Sequence, residues 1–332
     1  MAPLKLSLAC WNYDRTRALA DGIVQPEGIE LAFHSAPQVG EIMRRAVKLE
    51  FDVSELGFTY YLRSLEAPNP PFIAIPVFPN RLFRHGAIFV NRASGIASPR
   101  DLVGRPVGEM HRYGHDAGIW SKGALSDDHG VPAGSFTYYV GPLDRPGGGE
   151  ADWAPAAVPP GVAIHPLPPG RTLDAMLLAG EIDALFSAWI PPSFHAHPSQ
   201  VGRLFPDYEA VERDYFRRTG IFPIMHTVVI RRALYEKHRW VARALLAAFE
   251  AAKQRAENAY RIGSGFFTPA LMIPWVAALQ ERNRALMGED FWPYGVERNR
   301  KVLETFLRYH REQRLLARPC TVEELFAPET LA

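Results

Sequence analysis

Apolar and polar residues alternate from Leu4 to Leu8, which predicts a strand over Leu4–Ala9. Periodicity then predicts a helix over Asp14–Ile23, a strand over Ile29–Phe33, a helix over Val39–Leu49 and a strand over Phe51–Glu55. The same order returns later: strand Pro106–Met110, helix Asp116–Leu125, strand Phe136–Val140, helix Thr172–Ala179 and strand Ile182–Ser187. The junctions match as well. Lys48-Leu49-Glu50-Phe51-Asp52-Val53 and Ala179-Gly180-Glu181-Ile182-Asp183-Ala184 each run a helix end into an Asp-bearing strand, with Gly180 as a left-handed cap. Two such units argue for two α/β lobes, each a mixed, mostly parallel sheet flanked by helices. Gly86–Asn91 and Thr227–Arg231 are β-rich segments suited to a two-strand hinge, which sets the lobes at 1–91 plus 227–332 and at 92–226. From Leu234 to Leu316 the pattern is helical, with Trp240, Leu245 and Phe249 on one apolar face and Val302, Phe306 and Tyr309 on another. These helices are expected to cover the first lobe. Pro142–Pro169, rich in Pro, Gly and Ala around Trp153, reads as a long loop.

Composition narrows the function. Of 332 residues 47% are hydrophobic and 22% charged, which excludes a disordered chain, and 37 Lys and Arg against 36 Asp and Glu give a net charge of +1. No global field draws the protein to nucleic acid or an anionic membrane, so any anion must be met locally. Apolar stretches such as Ala242–Phe249 stop far short of the ~20 residues that span a bilayer. The N-terminus shows no long apolar leader, so a cytoplasmic location is expected, with Cys10 and Cys320 reduced and structural.

In open α/β sheets, ligands bind beyond the carboxyl ends of the strands. The residues there are Trp11-Asn12-Tyr13-Asp14-Arg15-Thr16, then Ser54 and Glu55, then His111-Arg112-Tyr113-Gly114-His115, then Ser187 and Trp189. If the lobes face one another, Tyr13, Asp14, Arg15, Glu55, His111, Tyr113, His115 and Trp189 become candidate substrate contacts. Helix starts at Asp14 and Asp116 aim backbone N–H groups at an anion. Arg81, Arg84 and His85 follow Pro79 among bulky apolar residues; guanidinium groups grip carboxylates, and an unperturbed His titrates at roughly 6.5. Surface ion pairing is the plainer reading of both arginines. His226 enters an apolar strand after Ile221-Phe222-Pro223-Ile224-Met225, as either a core histidine or a catalytic one. His195 and His197 have ligand spacing, yet no nearby carboxylate or Cys completes a set, so no metal is expected. Trp292-Pro293-Tyr294-Gly295 reads as a turn packed against the helical tail. Dinucleotide, Walker, nucleophile-elbow and zincin motifs are missing.

Several segments together resemble the 4,5-dihydroxyphthalate decarboxylase family, whose members look like type II periplasmic solute-binding proteins converted to cytoplasmic enzymes. They are Tyr13-Asp14-Arg15-Thr16, Glu50-Phe51-Asp52-Val53-Ser54-Glu55, Ile75-Pro76-Val77-Phe78-Pro79 with Arg81 and Phe83-Arg84-His85, and Gly180-Glu181-Ile182-Asp183-Ala184. Arg203-Leu204-Phe205-Pro206-Asp207, Thr219 to His226, Leu286-Met287-Gly288 and Trp292-Pro293-Tyr294-Gly295 complete the set. The loop after the second lobe's first strand departs from the family's Pro-Glu-aromatic run followed by Thr-Ala, reading Glu109-Met110-His111-Arg112-Tyr113-Gly114-His115-Asp116-Ala117. The resemblance implies decarboxylation of a hydroxylated aromatic acid, 4,5-dihydroxyphthalate to protocatechuate or a close analogue, without a cofactor. A hydroxyl para to the departing carboxylate pushes electrons to the ipso carbon, which takes a proton before carbon dioxide leaves. On this reading Arg81 or Arg84 binds a carboxylate, His85 or His226 supplies the proton, and Tyr13 and Trp189 shield the ring. The expected partner is a small aromatic acid, with self-association allowed and with neither nucleic acid nor membrane. The rival reading is a solute-binding protein that captures such an acid unchanged.

Overall fold

The computed structural model describes residues 2–146, 159–265 and 271–331. Its contacts divide the chain into two units, one holding Met1–Arg81, His226–Leu303 and Cys320–Ala332, the other Leu82–Met225 and Glu304–Pro319.

The first unit opens with β1 (Leu4–Ala9), α1 (Asp14–Ala20), β2 (Ile29–His34), α2 (Val39–Ala46), β3 (Val53–Gly57), α3 (Phe58–Ser64) and β4 (Phe72–Ile75). The start of α1 is closed by its own sequence: Thr16 Oγ1 accepts from the N–H of Tyr13, which lies just before the helix. Every residue of β3 is buried, which fits an interior strand.

The second unit carries β5 (Ile88–Asn91), β6 (Pro106–Met110), α4 (Asp116–His129), β7 (Thr137–Gly141), β8 (Ala163–Pro166), α5 (Leu173–Ala179), β9 (Ala184–Phe186), α6 (Pro192–Ala196), β10 (Val201–Arg203) and α7 (Tyr208–Thr219). Gly180 takes φ 73° and Gly220 φ 67°, so α5 and α7 both end on the left-handed residue that glycine supplies without strain. The chain then returns to the first unit with β11 (His226–Arg231), α8 (Arg232–Lys237), α9 (Val241–Gly265) and α10 (Val276–Met287), and ends with α11 (Arg300–Glu312).

The first sheet has the order β2-β1-β3-β11-β4, with β1 parallel to β2 and β3, and β11 antiparallel to β3 and β4. The second has the order β10-β5-β9-β6-β7-β8, with β6 parallel to β7 and β9, and β5 antiparallel to β9 and β10. Each unit thus ends a parallel run with one antiparallel interior strand. The matching Asp residues serve that arrangement. The Asp52 carbonyl accepts from Arg231 N–H at the end of β11 (2.9 Å), and the Asp183 carbonyl accepts from Asn91 N–H at the end of β5 (2.9 Å). The Asp52 carboxylate also takes Ser7 Oγ at 2.9 Å and Arg231 at 2.7 Å, and Asp183 takes Arg105 at 3.2 Å.

Five expectations differ from the structure. The segments read as a two-strand hinge do not pair with each other. β5 and β11 each lie inside a different sheet, because both are apolar enough to be buried throughout apart from the half-buried Arg231. The division between units falls earlier, at Arg81/Leu82 and Met225/His226. The helical tail does not belong wholly with the first unit, since Glu304–Pro319 counts with the second. There Phe306 stacks on Trp120 at 5.3 Å and the Tyr309 hydroxyl donates to Asp127 at 2.7 Å. Trp240, placed on an apolar face, is 45% exposed. Within the loop expected at Pro142–Pro169, Ala163–Pro166 forms the edge strand β8 on β7. Only Ile164 of those four residues is β-branched, and Pro166 marks an edge, so the local signal is weak. Trp153 lies outside the described residues. Among the described residues no helix is long and apolar enough to cross a membrane.

Gly123, inside α4, lets the Tyr309 ring approach: a Cβ there would meet ring carbons at 2.2 Å. Gly123→Ala is therefore expected to destabilise by about 1–3 kcal/mol from overpacking, against a helix-propensity gain of about 1 kcal/mol. A denaturant midpoint that stays equal or rises would show that propensity outweighs the steric contact.

Candidate active site

A carboxylate at the centre of the first unit organises its polar interior. Glu55, in β3, is wholly buried and receives four donors. Oε2 accepts from the backbone N–H of Trp11 at 2.9 Å and from Cys10 Sγ at 3.3 Å. Oε1 accepts from the Tyr13 hydroxyl at 2.7 Å and pairs with His226 Nδ1 at 2.6 Å. β1 ends beside β3 and so delivers Cys10, Trp11 and Tyr13; β11 runs antiparallel to β3 with His226 opposite Gly57.

Burial alone would raise the Glu55 carboxyl, but the hydrogen bond and charge of His226, then the Trp11 N–H and the Tyr13 hydroxyl, hold it below its ordinary 4.5. Burial, reinforced by the Glu55 charge, pushes both the Cys10 thiol and the Tyr13 hydroxyl up, so both remain protonated donors. The pair of an ionised carboxylate with an imidazole is a general acid–base arrangement. Nδ1 is taken by Glu55, and the side-chain hydrogen bond of His226 among the described residues runs through that atom, so Nε2 is the ring nitrogen left open to a ligand.

The neighbouring candidates brace this cluster. Arg15 lies between the rings of Tyr13 (4.0 Å) and Trp292 (4.1 Å), donates from Nε to the Pro79 carbonyl at 2.7 Å and pairs with Asp14 at 2.9 Å. The other Asp14 oxygen accepts from the Tyr260 hydroxyl. Arg81 is buried, donates to the Pro293 carbonyl at 2.7 Å and to Asn299 Oδ1, and burial pushes its guanidinium down to about 9. It ties down the turn at Trp292 to Gly295. That turn packs within the first unit, with Trp292 Nε1 donating to the Phe78 carbonyl at 2.9 Å.

The remaining candidates belong to the second unit. His115 Nδ1 meets the buried Glu109 at 3.2 Å; Glu109 also pairs with the buried Lys122 at 2.6 Å and accepts from Gly114 N–H at 2.8 Å. Burial raises the Glu109 carboxyl, but the Lys122 charge and then His115 outweigh it and hold it low. Tyr113 donates to the Gln313 carbonyl at 3.3 Å, with Lys122 Nζ 3.7 Å from its ring centre. His111 adopts φ 65°, lies edge-on to the half-exposed Trp189 at 6.2 Å, and is pushed down to about 3 by burial and then by the nearby His115. Arg84 is buried, its Nε 3.2 Å from Met225 Sδ, and burial takes its guanidinium down to about 10. His85 lies among Phe205 and Tyr215, with neither ring nitrogen hydrogen-bonded among the described residues.

Reading the sequence alone passes over Cys10, Glu109, Lys122 and Asn299 as site-building residues. The contacts Lys122–Glu109, Cys10–Glu55 and Asn299–Arg81 span 13, 45 and 218 positions, and no local spacing signals them.

No family model matches the chain. A 4,5-dihydroxyphthalate decarboxylase from Comamonas testosteroni is 35% identical over 332 residues, covering 100% of this chain and 98% of that protein. A second 4,5-dihydroxyphthalate decarboxylase, from Pseudomonas putida, is 34% identical over 218 residues, 65% of this chain and 83% of that protein. Among solved structures, a periplasmic sulfonate-binding protein from Methylobacillus flagellatus aligns with a TM-score of 0.55 at 13% identity, covering 99% of this chain and 92% of its own. The periplasmic aliphatic sulphonate binding protein of Escherichia coli gives 0.51 at 16% identity, covering 99% of both chains. The fold is that of the periplasmic binding proteins.

His85 yields a pH prediction. Burial pushes its ring down to about 4; Asp128 favours the charged form, but His129 and Arg218 oppose it. Glu212, 4.0 Å away, is itself raised by burial. The folded state therefore prefers a neutral ring, while the unfolded ring takes up a proton near ~6.5. Stability from this group is present above that value and falls as pH drops towards 4, by at most ~1.4 kcal/mol per pH unit. Denaturant midpoints at pH 7.5 and 5 are expected to differ less for His85→Leu than for the wild type. An equal difference would show that the ring titrates alike in the native and unfolded states.

Proposed function

Because the chain belongs to the 4,5-dihydroxyphthalate decarboxylase family, we propose that it is a carboxy-lyase that converts 4,5-dihydroxyphthalate to protocatechuate, with His226 supplying the proton that replaces the lost carboxylate. The observation that carries the assignment of His226 is its 2.6 Å contact with the ionised, fully buried Glu55.

In this substrate each carboxylate has a hydroxyl para to it. As that hydroxyl gives up its proton to water, its electron pair moves through the ring and the ipso carbon bonds the proton from His226 Nε2. A cyclohexadienone results, with the ipso carbon tetrahedral. The carbon–carboxylate bond then breaks, its electron pair restores the aromatic ring, the para oxygen regains a proton, and carbon dioxide departs. The ring thus acts as its own electron sink. Trp11, 39% exposed and edge-on to Tyr13 at 5.1 Å, offers an aromatic surface beside the same carboxylate that holds His226. We place the reaction in the cytoplasm, a compartment in which the free thiols of Cys10 and Cys320 stay reduced.

Purified protein is expected to release carbon dioxide from 4,5-dihydroxyphthalate, and turnover in D₂O is expected to leave one deuterium at the vacated ring position. His226→Asn is expected to lower kcat by about 10²-fold or more with little change in KM. Recovery of every acid intact would make the protein a binder, and undiminished turnover in the variant would remove His226 from the reaction.

A further inference from the structure

We infer that Glu55 is a positioning residue that locks His226 in the tautomer with its proton on Nδ1, and that the backbone N–H of Trp11 sets the direction of this lock. This rests on His226 as the proton donor and specifies what keeps it able to exchange a proton at Nε2.

The carboxylate of Glu55 has about four lone-pair positions, and four donors fill them, two on each oxygen. With no exposed surface and no acceptor capacity left, Glu55 acts only through its neighbours, not as the substrate contact expected from its place after a strand. The donors are not equivalent. The Trp11 N–H can only donate. Tyr13 can rotate its hydroxyl to accept, and a neutral imidazole can accept at Nδ1 by moving its proton to Nε2.

Consider the isosteric change Glu55→Gln. One carboxylate oxygen becomes an NH₂ group, which cannot face the Trp11 N–H, so the amide oxygen must take the Oε2 position beside Trp11 and Cys10. The NH₂ group then faces Tyr13 and His226, and both must become acceptors. His226 is forced to carry its proton on Nε2 and accept at Nδ1. In that form Nε2 has no lone pair to regain a proton, and the ring loses the anion that stabilises its cation. The wild-type arrangement keeps Nδ1–H fixed and leaves Nε2 to cycle between lone pair and N–H.

The test uses ligand-free full-length protein with ¹⁵N-labelled histidine, followed by long-range ¹H–¹⁵N spectra through a pH series until the ring is neutral. His226→Gln identifies the signal among the 11 histidines. The neutral ring of the wild type is expected to be protonated on Nδ1 and that of Glu55→Gln on Nε2. The same variant is expected to lose about 10²- to 10⁴-fold in kcat with KM within a few-fold, the pattern of a wrong tautomer. A wild-type neutral ring protonated on Nε2 overturns the inference, as does a Glu55→Gln protein with unchanged tautomer and turnover. If Glu55→Gln does not fold, the wild-type spectrum still decides, and Tyr13→Phe, which leaves three donors on Glu55, must retain the Nδ1–H form. Loss of turnover in His226→Asn together with wild-type behaviour in Glu55→Gln would sink the positioning role alone. Full turnover in His226→Asn, with the tautomer shift still seen in Glu55→Gln, would sink the proton-donor reading alone.

Discussion

A carboxylate with no water around it must find every one of its hydrogen bonds in the protein, and that requirement on Glu55 governs the first unit. Each of its partners is fixed by a different piece of chain: the end of β1 for Cys10 and Trp11, the approach to α1 for Tyr13, and the start of β11 for His226. A register slip of one residue in β3 would turn the carboxylate to the other face of the sheet and leave the donors facing nothing. Unpaired burial of a charge costs several kcal/mol or more, far above the gain from one apolar contact. The packing of β1, β3 and β11 and the chemistry of the site are therefore one constraint.

The second unit meets the same problem with different residues. Glu109 is held by Lys122, His115 and the Gly114 N–H, and α4 comes so close that a Cβ at Gly118 would sit 2.0 Å from its Oε1. In the stretch from Glu109 to Ala117, Gly114 and His115 both turn back onto the Glu109 carboxylate. Tyr113 lies against Lys122 and His115 against Glu109, whereas the half-buried His111 lies edge-on to the more exposed Trp189.

The parallel junctions at Asp52 and Asp183 were legible from the sequence because a helix cap, an acidic residue and an apolar run are all local signals. Their purpose was not, since each Asp bonds an antiparallel strand that arrives from elsewhere in the chain. The same limit explains the arginines. Arg81 among bulky apolar residues reads as a ligand contact by composition, and its sequence neighbourhood does not show that its Nη2 bonds Pro293 and Asn299, more than 200 positions away. His226 and His85 look alike as histidines beside apolar runs; a buried carboxylate distinguishes one, and a cage of aromatic rings the other. Segments buried on both faces, β5 and β11, carry no alternation to show which sheet will claim them.

The position of β11 has a consequence for how the chain is made. All six strands of the second sheet lie between residues 88 and 203, whereas the first sheet lacks an interior strand until residue 231 has been synthesised. Glu55 leaves the ribosome 171 residues before His226. Through that interval β3 and β4 lack the strand that joins them, and Glu55 lacks one of the partners that hold it ionised. The lobe that begins the chain is therefore the later of the two to complete its sheet, and its nascent form must remain open to water until the later lobe has largely emerged.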